Sequence, residues 1–418
     1  MNNQPLSSEA DYPSPRIPLA PVISNRSLTR KSRRKVAINS LLDAPYKRHV
    51  TSGRAAISLA LEDAGIGPGD EVLIPAFHCE SMISPIRWRQ ATPLFYQIEK
   101  DTKINLDDIK ARYRPTCKAI IATHYFGFMQ DFRPLRQWCD HNDVVFIEDC
   151  AHAFFGTGSG FSVGEAGHYA IASSMKFFPI YDGGLLVSYR RSLANIAARP
   201  AGLSIDAKSL LNTLEKSIGY GRLGWIGWIV QKILVAKNVL WAWLKSNSRL
   251  TTDGPASSEG AYDLDETWIH VANTRVSQRI LAHSNLTRIC EKRRQNYLTL
   301  DRALSKFNGV RPLFPDLPEG CVPLVYPLYF DDPSAHFAHL KQQGVPIWRF
   351  GEFLDDEIDD SNYPNSKTLS RHVFQFPCHQ ELLDHELQWM IDTVSSSLTG
   401  HSQGETHGLD TTPYQPIS

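Results

Sequence analysis

Cysteine is sparse and unpatterned in this 418-residue chain: seven residues, at positions 79, 117, 139, 150, 290, 321 and 378, with no C-x-x-C pair. An odd, scattered set excludes a disulfide framework and a zinc site as organising devices, and suits reduced thiols in a cytoplasmic protein. No metal is therefore expected. An excess of either charge is also missing, since Lys+Arg and Asp+Glu both number 44. No global field draws the chain to nucleic acid or to an acidic membrane. Met1 to Pro15 are polar and proline-rich and lack the apolar run of a secretory signal. No internal repeat is visible.

One absence is local. Between Glu215 and Asp253 no acidic residue occurs, in a stretch that carries Trp225, Trp228, Trp241 and Trp243. Lys232, Lys237 and Lys245 interrupt it too often for a membrane span and do not share one helical face. Two readings stand. A Trp-rich basic helix over 218–246 suits peripheral contact with a membrane interface. Helical packing against the body or a dimer partner is the plainer reading, and it is favoured.

What is present is ordinary for a soluble enzyme: 42% hydrophobic and 21% charged residues. The length exceeds a single core, so two lobes are expected. Composition divides the chain into a disordered arm (1–40) ending in the basic run Arg30–Lys35, a large domain (41–202), and a Trp-rich helical insertion with its linker (203–262). A return to the large domain and dimer interface (263–285), a small C-terminal domain (286–398) and a tail (399–418) follow.

From Thr51 helices and short apolar runs alternate. A helix over Arg54–Ala64 has Ile57, Ala60, Leu61 and Ala64 on one face and ends at Gly65. Strands are expected at 71–75, 93–97, 118–123, 144–147, 168–172 and 185–188, with helices at 81–89, 106–112 and 131–141 between the earlier ones. Continuous apolar strands separated by helices mean a mostly parallel α/β sheet covered on both faces. Farther on, a helix carrying Leu286, Ile289, Tyr297 and Leu300, strand-like runs at 322–330 and 345–349, and a helix over 384–397 suit a smaller α+β domain.

In a parallel sheet ligands gather where the strands end. Phe77-His78-Cys79, His124-Tyr125, Asp149 and Ser173 to Lys176 all fall there. Lys176 sits between two core strands, six residues before Asp182-Gly183-Gly184. Alone it favours a lysine that snorkels to water; the surrounding motifs favour a Schiff-base lysine for pyridoxal phosphate. That cofactor asks for an amine, an anion at its pyridine nitrogen, a phosphate cradle and a face to cover its ring. The amine is Lys176, its pKa lowered by desolvation. The anion is Asp149, for which a helix N-cap is the rival reading. His152, three residues on, is a candidate partner for the ring hydroxyl. The cradle is Ser52-Gly53-Arg54 at a helix N-terminus, where free N–H groups favour a dianion, with Ser173 adding a hydroxyl. His78 and Cys79 are candidates for the covering face. Trp348, Arg349 and His379 are candidates for the substrate pocket.

Assembled, these segments resemble the DegT-type family of pyridoxal-phosphate aminotransferases. Thr51-Ser52-Gly53-Arg54-Ala55-Ala56 is similar to its S-G-T/R-x-A turn, and Gly67-Pro68-Gly69-Asp70-Glu71-Val72 with Pro75-Ala76-Phe77 to its G-P-G-D-E-V…P-x-F segment. His124-Tyr125-Phe126-Gly127, Ile147 to Ala153, Asn273 to Ser277 and Phe376 to His379 resemble its H-x-Y-G, I-E-D-x-A-Q/H-A, N-Y-R-M-S and L-P-x-H motifs. The resemblance implies a type I PLP-transferase fold and a homodimer with active sites at the subunit interface. It implies Lys176 on the cofactor aldehyde, Asp149 on the ring nitrogen, Ser173 on the phosphate and Asn273 reaching the neighbouring subunit's phosphate. The implied reaction takes an amine from an amino acid, often glutamate, and gives it to a keto-sugar. Three departures stand out: Ser173 and Lys176 are only three apart, Cys79 occupies the place of the usual ring-stacking aromatic, and the 203–262 stretch is atypical. Two alternatives remain: another reaction on the same cofactor, such as elimination, or a non-catalytic, membrane-associated binding partner.

Overall fold

The computed structural model describes residues 12–27, 39–158, 160–224, 227 and 264–404. Most of the Trp-rich stretch 218–246, the linker at 251–260, the basic run Arg30–Lys35 and the tail beyond 404 lie outside the described residues.

The centre is a seven-stranded sheet. Its strands are β1 (Tyr46–Val50), β2 (Glu71–Pro75), β3 (Thr92–Tyr96), β4 (Cys117–Thr123), β5 (Val145–Asp149), β8 (Tyr169–Ser173) and β9 (Gly184–Ser188), in the order β1-β9-β8-β5-β4-β2-β3. A small hairpin, β6 (Thr157–Gly158) and β7 (Phe161–Ser162), intervenes. The pairings from β3 through β2, β4 and β5 to β8 are parallel; β9 runs antiparallel to β8 and to β1. The mostly parallel sheet read from sequence is therefore present. Ala119–Ala122 of β4 and Ala170–Ala172 of β8 have almost no exposure, as strands covered on both faces require.

Helices α1 (Gly53–Asp63), α2 (Glu80–Trp88), α3 (Leu106–Arg112) and α4 (Arg133–His141) connect these strands. Ser52 caps α1 by accepting from the Ala55 N–H at 3.2 Å. Gly65, at φ 75°, ends it, with Ile66 N–H returning to Leu61 O at 3.0 Å. Register aligns the strand ends: Thr123 lies opposite Asp149, and Asp149 opposite Ile171. Three side chains from three strands thus meet at one edge.

Helices α5 (Leu203–Gly219) and α6 (Arg275–His283) are cinched to the loop before β9 by Asp182. That buried carboxylate accepts from Ser209 Oγ (2.9 Å), Thr274 N–H (2.7 Å), Thr274 Oγ1 (2.7 Å) and Ser277 Oγ (2.7 Å). The long helix α7 (Leu286–Leu304) leads to the antiparallel sheet β10 (Val310–Pro312), β11 (Val325–Phe330) and β12 (Val373–Pro377), packed with α8 (Pro333–Gln342), α9 (Pro364–His372) and α10 (Asp384–Gly404).

Two expectations change. Residues 345–349 form no strand; they run extended and touch β12 through the single bridge Trp348–Gln375, because Pro346 and the turn at Gly351 limit ladder formation. Within the expected disordered arm, residues 12–27 are packed on the small domain, with Ile17 and Val22 only 2% and 3% exposed. Composition dominated by Pro and Ser hid two apolar anchors that find a tertiary partner.

Candidate active site

A cavity of about 370 Å³ opens over the carboxyl ends of β4, β5 and β8. The large domain contributes Ser52, Gly53, Arg54, Cys79, Thr123, Asp149, His152, Ser173 and Lys176 to its wall. The small domain contributes Arg293, Trp348, Arg349, Phe350, Gln375 and His379, and the N-terminal segment adds Leu19 and Ala20.

Asp149 ends β5 and is 2% exposed. One oxygen accepts from the Ala151 N–H at 2.8 Å and the other from Thr123 Oγ1 at 3.2 Å, so the carboxylate is aimed by its own strand end and its neighbour's. Burial pushes its pKa up, while the Ala151 N–H and the Lys176 ammonium oppose that rise. Lys176 ends a single 3-10 turn, Ser174–Lys176, that follows β8. Burial lowers its pKa, against the pull of Cys79 and Asp149. Both groups are thus driven toward their neutral forms in the absence of a bound charge.

The lysine's main chain is held from the small domain. Arg293 Nη2 donates to Lys176 O at 2.8 Å, Gln380 Nε2 to Phe177 O at 2.9 Å, and Arg293 Nε to Gln380 Oε1 at 3.0 Å. Sequence reasoning missed this clamp because its parts lie more than a hundred residues from Lys176.

At the opposite end Ser52, Gly53 and Arg54 form the first turn of α1, where backbone N–H groups lack helical acceptors. The turn is tight against the sheet: a Cβ on Gly184 would lie 2.1 Å from Ser52 O, and one on Gly53 would lie 3.5 Å from Ser173 Cβ. An anion cradle, a hydroxyl at Ser173, a carboxylate and an amine in one cavity fit the donor set that pyridoxal phosphate requires.

His152 lines the cavity beside Phe350, at 4.8 Å between ring centres, and its Nδ1 accepts from Phe126 N–H at 3.4 Å. Burial keeps it neutral. Cys79 also faces the cavity, and burial raises its thiol pKa. His78 does not: it is fully buried against Phe95 at 5.1 Å, and burial pulls its pKa to about 4. Its expected role over the cofactor ring is corrected, since successive residues of an extended link face opposite sides. Asn273 is off the cavity wall, buried beside Gly183, and neither end of its side-chain amide has a partner among the described residues. Trp348, Arg349 and His379 do line the cavity; Arg349 pairs with Glu352 at 2.6 Å and lies 4.1 Å over Phe337.

Beneath the sheet edge His124, Glu148 and Cys150 stand close enough to surround a cation. Glu148 instead accepts from His124 Nε2 (2.9 Å) and from the N–H groups of Gly164 (2.8 Å), Ala166 (2.9 Å) and Gly167 (3.0 Å). Its oxygens are occupied by protein donors, and the cluster holds the 164–167 loop.

Among curated proteins the chain is 33% identical over 150 residues to GDP-perosamine synthase of Vibrio cholerae, covering 35% of this chain and 41% of that protein. It is 36% identical over 118 residues to L-glutamine:2-deoxy-scyllo-inosose aminotransferase of Streptomyces kanamyceticus, covering 28% of each. The matched stretch thus spans well under half the length of these relatives. Among solved structures, a putative sugar aminotransferase from Streptococcus pneumoniae matches with a TM-score of 0.60 at 18% identity, over 87% of this chain and 88% of that one. An aminotransferase from Streptoalloteichus hindustanus matches with a TM-score of 0.58 at 20% identity, over 85% and 86%. These likenesses establish the fold, the α/β architecture of pyridoxal-phosphate transferases. The model of the DegT/DnrJ/EryC1/StrS aminotransferase family matches residues 36–221, from ahead of β1 through α5, and it is this family that the chain resembles over that stretch.

Proposed function

We propose that the protein is a pyridoxal-phosphate-dependent aminotransferase that moves an amino group from an amino acid such as glutamate to a keto-sugar, nucleotide-linked, in polysaccharide, glycolipid or antibiotic biosynthesis. The observation that carries this reading is the convergence of Lys176, Asp149 and the Ser52-Gly53-Arg54 turn on one cavity. The names of the two curated relatives, GDP-perosamine synthase and L-glutamine:2-deoxy-scyllo-inosose aminotransferase, support an acceptor of sugar size.

Bound here, pyridoxal phosphate supplies an aldehyde that takes up amine and a ring that withdraws electrons. The rest is the work of the chain. The first turn of α1 and Ser173 hold a phosphate by N–H and hydroxyl donors. Asp149, aimed by Thr123 and Ala151, would keep a proton on a ring nitrogen by offering it a carboxylate in a dry site. Lys176, its ammonium destabilised by burial, would hold the cofactor's aldehyde end through a neutral Nζ and would carry a proton there. Ile57, Met82, Met175 and Phe350 on the cavity wall exclude water from these transfers.

A homodimer belongs to the proposal. The unpartnered, buried amide of Asn273 and the exposed Leu203 and Leu210 on α5 (78% and 42%) support a second subunit on this side. No helix among the described residues is long and apolar enough to cross a membrane. A cytoplasmic enzyme completes the proposal; for 218–246 packing against the body or a dimer partner stays ahead of peripheral membrane contact, which the tryptophans and lysines of that stretch would also suit.

The test is spectroscopic. Purified protein is expected to be yellow, to bleach with L-glutamate or L-glutamine, and to lose both properties in Lys176→Ala. A colourless protein that takes up no added pyridoxal phosphate refutes the reading. Asn273→Ala is expected to weaken cofactor retention, and mixing its subunits with Lys176→Ala subunits is expected to restore some complete sites. Absence of recovery in mixed dimers counts against the shared site.

A further inference from the structure

Residues 12–27 reach the cavity as a strap tied at three places. At its start Arg16 N–H donates to Gly344 O at 3.1 Å, and the guanidinium lies 5.3 Å from the Trp389 ring. In the middle His379 Nε2 donates to Pro18 O at 2.8 Å, and its Nδ1 accepts from Glu381 N–H at 3.2 Å, which sets one neutral tautomer. At its end Ser24 Oγ donates to Glu381, itself gripped by Arg288 at 2.7 Å. Pro18 and Pro21 restrict the backbone between the ties, so less entropy is lost in holding it.

Between these ties Leu19 and Ala20 remain only partly buried because they face the cavity. Neither offers a hydrogen-bonding side chain. The groups suited to hold the cofactor come from the central sheet and α1, whereas the strap belongs to neither. Its contribution to the cavity is therefore an apolar wall added from outside the cofactor cradle.

We propose that Leu19 and Ala20 form a specificity-determining wall for the acceptor, seating an apolar edge of a ring-shaped ketone and disfavouring a hydroxyl there. The inference rests on the aminotransferase reading for the identity of the substrate as a ketone. A hydroxyl pressed on these side chains gives up water without gaining a partner, whereas a methylene does not. Discrimination of this kind amounts to about tenfold to a hundredfold.

The test uses full-length holoprotein with cyclohexanone and 4-hydroxycyclohexanone, two sugar-sized rings that differ by one hydroxyl. Saturation-transfer NMR is expected to show preferred contact with cyclohexanone in the wild type, retention of that preference in Leu19→Met, and its loss in Leu19→Gln. After bleaching with L-glutamate, the ratio of colour-return rates for the two ketones is expected to fall about tenfold or more in Leu19→Gln. General damage to the fold slows both ketones together and leaves that ratio alone. An NMR preference that is absent in the wild type, or equal in wild type and Leu19→Gln, overturns the proposal. Failure of the wild type to bleach instead overturns the aminotransferase reading, and the NMR comparison still decides the strap.

Discussion

Arg293 shows how much a single buried side chain organises. It stands on α7 with no exposed surface and, among the described residues, donates only to neutral acceptors: Gln380 Oε1 and the carbonyls of Pro323 (3.2 Å), Leu324 (2.9 Å) and Lys176 (2.8 Å). Its guanidinium lies 4.5 Å over the Phe177 ring, and burial draws its pKa down to about 10. A buried cation without a carboxylate is costly, so its retention is best explained by geometry: the planar fork fixes the loop that presents Lys176. Arg293→Lys keeps the charge and loses the fork. It is expected to fold, to retain the cofactor more weakly, and to lower kcat about a hundredfold through misplacement of Nζ. Cofactor absorbance and single-turnover rates check this; wild-type values in the lysine variant would show that Arg293 only supports the core. At this scale Lys176, Asp149, Ser173, His152 and Cys79 were legible as residues at strand ends, and all five line the cavity. Arg293 was not legible, because a helix arginine is a surface residue by default and only packing shows otherwise. His78 was misread, since sequence position does not say which of two adjacent side chains faces a ligand.

Among the elements, the Asp182-Gly183-Gly184 stretch ties the most together. Gly184 pairs with Val50 on one side and Ser173 on the other, and its missing side chain lets Ser52 O approach. Gly184→Ala is expected to push the first turn of α1 away from β9 and raise the dissociation constant for pyridoxal phosphate at least tenfold, measured by cofactor absorbance on dilution; the clash is with backbone, which has nowhere to yield. Asp182 faces the other way and gathers α5 and α6. Asp182→Ala leaves three buried hydroxyls without their acceptor and is expected to destabilise the fold by about 3 kcal/mol. Denaturant unfolding checks it, and hydrogen exchange in Arg275–His283 is expected to quicken before the central sheet responds. Between 53 and 188 the strands of the central sheet and their helices were legible within a residue or two, because apolar runs and caps are local signals, whereas the two-residue strands β6 and β7 were not. β1 was overlooked: Tyr46 to Val50 carries Lys47, Arg48 and His49, and it becomes a strand only through its pairing with β9. β12 was hidden similarly, read as a motif rather than as a partner of β11.

For the whole molecule, buried histidines contribute to the acid limit, His78 and His379 among them. Burial holds His78 and His379 neutral, with pKa values of about 4 and about 3. In the unfolded chain each titrates near 6.5. Between those values the unfolded chain binds protons that the fold refuses, so stability rises with pH. The contribution is whole above about pH 6.5 and is lost as pH falls toward 4. The thermal midpoint is expected to drop across that window and to be nearly flat from pH 7 to 8. His379→Gln, which keeps a donor for Pro18 O, is expected to flatten the slope; an unchanged profile would assign the acid loss to other groups.

By itself the sequence determined the class of sheet, the order of its strands along the chain and the residue types that meet at their ends, because hydrophobic periodicity and helix caps act over a few residues. Only the tertiary structure decided that 12–27 strap the cavity, that Arg293 and Gln380 hold the lysine loop, and that His78 turns away while Cys79 turns inward. Those outcomes depend on partners far apart in the chain, and a side chain's burial or direction is set by what packs against it rather than by its neighbours in sequence.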